Sequence, residues 1–375
     1  MTTITMSSQD ISDADVQAVV DVLRSGRLAL GPQTTAFEAA LAAYVGTRHA
    51  VAVSSGTAAL HLLVRALGLG PGDEALVPSF TFAASVNALL FEGVTPVFVD
   101  IEPHTYNLDP DDLARKVTPR TRAIMAVDVF GHPADWDRIT QIAAQHDLRI
   151  IDDSCEALGA EYRGRKLGTF GDAATFAFYP NKQMTTGEGG MVVTDDDEIA
   201  ALCRSLRNQG RPEMGAWLEH ERLGYNYRMT EMQAALGLSQ LRRLDTFLAK
   251  RARVAARYTE RLAGLDAVIP PTVLPHVRMS WFVYVITLTE AALAHGLDRD
   301  TVIARLADQG IPARGYFAPI HTQPYIKERF GDLSGTLPVT ESLAQRTLAL
   351  PFHNNLTDAQ IDTVVQALTQ ALSPP

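Results

Sequence analysis

Between His49 and Thr194 the chain alternates short apolar runs with amphipathic stretches. The sequence predicts strands over 49–53, 74–77, 96–100, 123–130 and 148–152, followed by two more at 175–182 and 190–194. It predicts helices over 56–67, 82–91, 109–116 and 134–146 between them. Parallel strands need a crossover, and a helix is the usual one, so strand–helix alternation implies strands that run the same way. The expected fold class is α/β: a mostly parallel central sheet with helices on both faces.

Upstream, 10–25 has helical periodicity, with Ser12 or Asp13 placed to cap it, and 35–44 forms a second amphipathic helix. The pattern from Thr230 to about Leu262 reads as one long helix leaving the sheet region. Beyond it, a strand at 281–288, a helix at 299–309, a strand at 314–317 and helices at 339–349 and 357–372 describe a smaller α+β unit. The division expected is a large domain over 1–245, carrying an N-terminal helical arm, and a small C-terminal domain over 246–375.

One stretch inside the alternation points to chemistry. Thr175–Gly190 reads as a buried strand broken at Pro180-Asn181, with Lys182 at the break and a Gly-rich turn behind it. Burial disfavours the charged form of such an amine and leaves it a nucleophile, which is what a Schiff base with a carbonyl cofactor such as pyridoxal phosphate (PLP) requires. A plain surface lysine at a strand end is the competing reading. Ligands of open α/β sheets sit beyond the carboxyl ends of the strands, so the residues there are the candidates to complete a site. Ser54-Ser55-Gly56-Thr57 opens a helix whose backbone N–H groups can take a phosphate, or else simply caps it. Phe82 can stack on a planar ring or belong to the core. Asp152 and Asp153 end one strand, and an aspartate there can keep a pyridine nitrogen protonated or cap the strand end. Together these make a PLP site of the aspartate-aminotransferase type, fold type I.

Composition closes other routes. The formal net charge is −10 with no basic run, which argues against nucleic acid as a partner. No apolar run reaches a membrane span, and the first residues lack the basic and apolar regions of a secretory signal, so a cytoplasmic enzyme is expected. The two cysteines, Cys155 and Cys203, lack metal-ligand spacing, the histidines are scattered, and no H-E-x-x-H, P-loop or G-x-G-x-x-G is present. No metal is expected.

The sequence also resembles the DegT–StrS sugar aminotransferases over nearly its whole length. The similarity lies in Gly31-Pro32, Ser55-Gly56-Thr57-Ala58-Ala59-Leu60-His61, Pro78-Ser79-Phe80-Thr81-Phe82 and Asp152-Asp153-Ser154-Cys155-Glu156-Ala157-Leu158-Gly159-Ala160. It continues through the lysine stretch, Gly224-Tyr225-Asn226-Tyr227-Arg228-Met229, Tyr316-Phe317-Ala318-Pro319-Ile320-His321 and Leu350-Pro351-Phe352-His353. The resemblance implies that Lys182 carries PLP, Asp153 pairs with its ring nitrogen, and Gly56 and Thr57, beside Ser55, hold its phosphate. It implies Phe82 stacked on the ring, Glu156 packed over the cofactor where members often have glutamine, and Asn226 donated to the phosphate of a neighbouring subunit. A homodimer follows from the last point. Arg228, Tyr316 and His321 match segments near the substrate.

Two departures stand out. Members often carry a phosphate-binding serine where this chain has Ala177, and many carry a histidine where it has Asp128. The implied activity is transfer of an amino group from L-glutamate to a keto sugar, most often a nucleotide-linked 4-keto-6-deoxy sugar, through pyridoxamine phosphate. A 3-keto sugar, a cyclitol ketone, or a PLP-binding regulator without turnover are the alternatives.

Overall fold

The structure, a computed structural model, describes residues 4–373 apart from 213, 215–217 and 295. Seven strands build the central sheet: β1 His49–Val53, β2 Glu74–Pro78, β3 Thr95–Val99, β4 Thr121–Val127, β5 Arg149–Asp153, β6 Ala173–Ala177 and β7 Gly190–Thr194. Their order is β1-β7-β6-β5-β4-β2-β3. Strands β6, β5, β4, β2 and β3 are mutually parallel, while β7 runs antiparallel to both β1 and β6. The expected mostly parallel sheet is therefore observed, with one reversed strand set into its interior.

Side chains along these strands alternate between the two faces. Val51, Val53, Val77, Met125, Ile151 and Val192 pack in one cluster with Leu60, Leu63 and Val64 of the helix Gly56–Ala66. On the opposite face Leu76, Ile124, Ala126 and Ile150 pack with Trp136 and Ile139 of the helix Trp136–His146. Ala50, Ala52, Ala174 and Phe176 pack there against Phe37, Leu41 and Phe247. The helix Gly56–Ala66 is buried along nearly its whole length, and each fully buried leucine contributes about 1.5–3 kcal/mol.

A second sheet, all antiparallel, joins Val268–Ile269, Tyr284–Leu288, Thr347–Leu350 and Arg314–Gly315 in that order. Its core gathers Tyr258, Tyr284, Ile286, Leu348, Ile361 and Val364, and Ile4 from the start of the chain.

Three expectations are modified. The long helix is two, Glu231–Leu241 and Leu244–Leu262, and the break sets Arg243 onto Asp10 and Asp15 of the N-terminal segment. The helix expected over 339–349 ends at Ala344, and Thr347–Leu350 becomes one of the two interior strands of the second sheet. A short apolar run carries no period that separates helix from strand. The strand expected over 175–182 stops at Ala177, which leaves Lys182 in the loop between β6 and β7. The N-terminal helix, Asp13–Ser25, is capped by Ser12 in a capping box with Asp15. No helix among the described residues is long and apolar enough to cross a membrane.

Candidate active site

A cavity of about 510 Å³ opens beyond the carboxyl ends of β4, β5 and β6. Its lining includes Ser55, Gly56, Thr57, Phe82, Asp153, Glu156, Lys182 and Tyr316, so eight of the residues singled out from sequence meet there.

Each arrives for a local reason. Ser55 is extended and caps the helix Gly56–Ala66, its hydroxyl accepting from Ala58 N at 3.1 Å. That orients the first turn so that its backbone N–H groups face the cavity, where the helix dipole favours an anion. Backbones close in tightly here: a Cβ on Gly190 would collide with the Ser55 carbonyl, and one on Gly56 would stand 2.8 Å from the Ala177 methyl. Ala177 thus abuts the phosphate-ready helix start and brings no hydroxyl to it.

Asp153 ends β5 and points to the cavity side of the sheet. Ser85 Oγ donates to its Oδ2 at 2.7 Å and the Cys155 amide to its Oδ1 at 3.3 Å, which fixes the carboxylate while both oxygens keep further acceptor capacity. Phe82 caps the helix Ala83–Phe91 and is 66% exposed, an aromatic face left open on the cavity wall. Lys182, its side chain 14% exposed, holds Nζ 3.5 Å from Glu156 Oε1 and 4.0 Å from the centroid of the Phe282 ring. The other Glu156 oxygen accepts from Phe130 N at 2.9 Å. Burial raises the Glu156 carboxyl above its usual range, and the nearby lysine charge offsets part of that rise. Tyr316 is pushed up to about 12 by burial and by the Glu156 charge. Burial also raises the Cys155 thiol, so that sulfur is a wall atom rather than a nucleophile.

The remaining candidates lie elsewhere in this chain. Asn226 is exposed and bridges to Asn208. Arg228 donates to Asn208 Oδ1 at 2.9 Å and lines a separate depression with Arg204 and Arg207. His321 is fully buried, its ring between Ser79 Oγ at 2.6 Å and Glu341 Oε1 at 3.0 Å, away from the cavity lining. Sequence reading passed over Ser85, Tyr179, Phe282 and Phe317. Ser85 was within reach, three positions after Phe82 and so on the same helix face; nothing in the sequence points to Phe282.

Asp152 and Asp128 occupy the other side of the sheet. Ser154 Oγ lies 2.7 Å from Asp152 Oδ1 and 2.6 Å from Asp128 Oδ2. One hydroxyl proton is too little for two bare carboxylates buried side by side, which favours a proton held on the pair. Burial raises Asp128 to about 6 and Asp152 well above its usual range. Asp128 Oδ1 also accepts from Ala134 N and Trp136 Nε1 at 2.8 and 3.2 Å, which makes it a clamp on the 128–136 turn.

An amine, a fixed carboxylate, an open aromatic face and a helix start that can take a phosphate converge on one cavity large enough for a phosphorylated pyridine. The residues present fit PLP, and the fold is that of a PLP-dependent transferase of fold type I. Residues 9–369 match the DegT/DnrJ/EryC1/StrS aminotransferase family, and the chain belongs to it. It is 46% identical over 338 residues to the GDP-perosamine synthase of Caulobacter vibrioides, covering 90% of this chain and 89% of that one. It is 40% identical over 358 residues to the dTDP-3-amino-3,4,6-trideoxy-alpha-D-glucose transaminase of Streptomyces venezuelae, covering 94% and 90%. The PLP form of Spr1654 from Streptococcus pneumoniae superposes with a TM-score of 0.93 at 31% identity, covering 99% and 98% of the two chains. The protein is an aminotransferase and its cofactor is PLP.

Proposed function

We propose that this aminotransferase moves an amino group from L-glutamate to a nucleotide-linked keto sugar, with Lys182 as the group that holds the cofactor and carries the proton. The observation that carries the residue assignment is the convergence of Lys182 Nζ, the Asp153 carboxylate and the Gly56–Thr57 helix start on one cavity. When bound, PLP supplies an aldehyde that takes up an amine and a ring that accepts an electron pair. Asp153 would hold a proton on the ring nitrogen, and Ser85 and the Cys155 amide hold Asp153 in place. The Lys182 amine would take a proton from the donor carbon and give one to the acceptor carbon. Glu156 steadies that amine, Phe82 supplies a stacking face, and Phe282, Tyr316 and Phe317 wall off water.

The nucleotide-linked substrate is inferred from the names of the two relatives. A 4-keto-6-deoxy sugar is our first choice, and a 3-keto sugar is the second, favoured by the 3-amino product in the name of the Streptomyces enzyme. We further place the protein in the cytoplasm as a homodimer, in which Asn226 reaches the phosphate of the partner's cavity and Arg228 lies near its substrate. The exposure of Asn226 outside its own cavity supports this. The two-domain division at 245/246 belongs to the same reading, with the helix Leu244–Leu262 spanning the boundary.

Absorbance in one cuvette tests the function. Addition of L-glutamate without acceptor should bleach the yellow of the PLP protein, and the right keto sugar should restore it. A yellow protein inert to glutamate would refute the donor. Nucleotide sugars with 4-keto and 3-keto groups, compared side by side, distinguish the two acceptors.

A further inference from the structure

We propose that Arg251 is a positioning residue for Lys182, fixing the lysine main chain and the aromatic wall under its amine through one guanidinium. This rests on the reading of Lys182 given above. Arg251 comes from the helix Leu244–Leu262 and is 3% exposed. Its two terminal nitrogens reach four backbone carbonyls. One donates to Trp281 O and Phe282 O, both at 3.1 Å, and the other to Lys182 O at 2.9 Å and Asn181 O at 3.4 Å. Among the described residues it has no carboxylate within ion-pair distance, so carbonyl dipoles and the Phe352 ring, 5.6 Å from Cζ, offset a buried charge. Burial depresses Arg251 to about 10, a direction that reflects this cost.

A planar fork can hold two pairs of carbonyls at once, which the single ammonium of lysine cannot reproduce. Here the pairs belong to different segments: 181–182 leads from β6, and 281–282 precedes the strand Tyr284–Leu288. Gln183 adds a second link between the same segments, its amide donating to Glu156 O at 2.5 Å and Ser280 Oγ at 2.8 Å. Trp281 sits at φ 51°, a conformation that needs support in a non-glycine residue, and the bond to its carbonyl provides some. The result is that the Lys182 amine, on a long flexible side chain, starts from a fixed base and ends over the Phe282 ring.

The test separates attachment from general binding. PLP can bond covalently to Lys182, whereas pyridoxine 5′-phosphate offers the same ring and phosphate without an aldehyde. Both are titrated into cofactor-free wild type, Arg251→Met, Arg251→Lys and Lys182→Ala. Misplacing a reacting group by about 1 Å costs on the order of 100-fold, so Arg251→Met should weaken PLP binding about 100-fold. It should leave pyridoxine 5′-phosphate within about threefold, as expected for an independent contact. Arg251→Lys, which keeps the charge and loses the fork, should fall between wild type and Arg251→Met for PLP alone. Equal loss of both ligands would make Arg251 a scaffold residue and overturn the proposal, as would PLP affinity unchanged in both Arg251 variants. Should Arg251→Met fail to fold, Arg251→Lys and Gln183→Leu carry the same comparison of the two ligands. Lys182→Ala separates the two readings. If it keeps full PLP affinity, the assignment of Lys182 itself falls. If it loses that affinity while the Arg251 variants do not, only the role of Arg251 falls.

Discussion

Asp152 and Asp153 are consecutive residues on one strand, and they live in opposite worlds. Asp153 faces the cavity, held by Ser85 and the Cys155 amide with acceptor capacity left over for a ligand. Asp152 faces the far side of the sheet, sealed among Ser154, Asp128 and the Gly168 amide, where burial favours a proton held on the pair. Strand alternation alone separates them. The same aspartate chemistry faces an open cavity on one side and a buried clamp on the other, and which side a residue takes is decided by the register of β5 between β4 and β6.

The comparison breaks most readily at Asp153. Asp153→Asn should lower kcat by about 10²–10³-fold, the usual loss when a pre-set electrostatic partner is removed, while the melting temperature moves little. Asp152→Asn should do the reverse, keeping turnover within about threefold and shifting stability instead. Steady-state rates and thermal melts on the two variants, side by side, decide it; a large kcat loss in Asp152→Asn would erase the distinction.

The pH dependence of stability sharpens the far side. Burial lifts the Asp128 carboxyl from the ordinary 3.8 to about 6 in the fold. Asp152, in the same pair, is also held well above its usual range, so the folded pair retains protons that the unfolded chain releases, and its contribution to stability falls as pH rises above about 4. Denaturant unfolding across that range should show the decline, and Asp128→Asn should flatten it. An unchanged slope would mean that the pair holds no extra proton.

Smaller effects belong to the cavity face. Phe82→Ala should weaken PLP binding by about 3- to 10-fold, in line with about 0.5–1.5 kcal/mol for an aromatic pair, without loss of stability because the ring is already exposed. Ala177→Ser, which offers the helix start a hydroxyl, should tighten PLP by no more than about tenfold, the scale of one hydrogen bond. Fluorescence or absorbance titration with PLP reads both; weaker binding in Ala177→Ser would show that the Gly56 contact leaves no room for the added oxygen.

Much of this was legible in the sequence because it follows from period and punctuation. The alternation from His49 to Thr194 announced the sheet, and Pro180-Asn181 marked the break that puts Lys182 in a loop. Asp152 and Asp153 could not be told apart from residue chemistry, because the choice depends on register. The resemblance, rather than any periodicity, singled out Asp153. Thr347–Leu350 was hidden because four residues are too few to carry a period, and Arg251 because its partners are main-chain carbonyls, which leave no trace in side-chain identity. His321 shows the converse: its segment is similar to the family's, and the structure seats the ring between Ser79 and Glu341.

Strand β7 lies between β1 and β6, antiparallel to both, and the lysine loop is the link from β6 to β7. Neither leg of that hairpin is a sheet edge, so its amides can meet deuterium from solvent only when the sheet itself parts. The Lys182 loop is thus hung between two interior strands of the sheet, which should be among the last segments of the molecule to exchange.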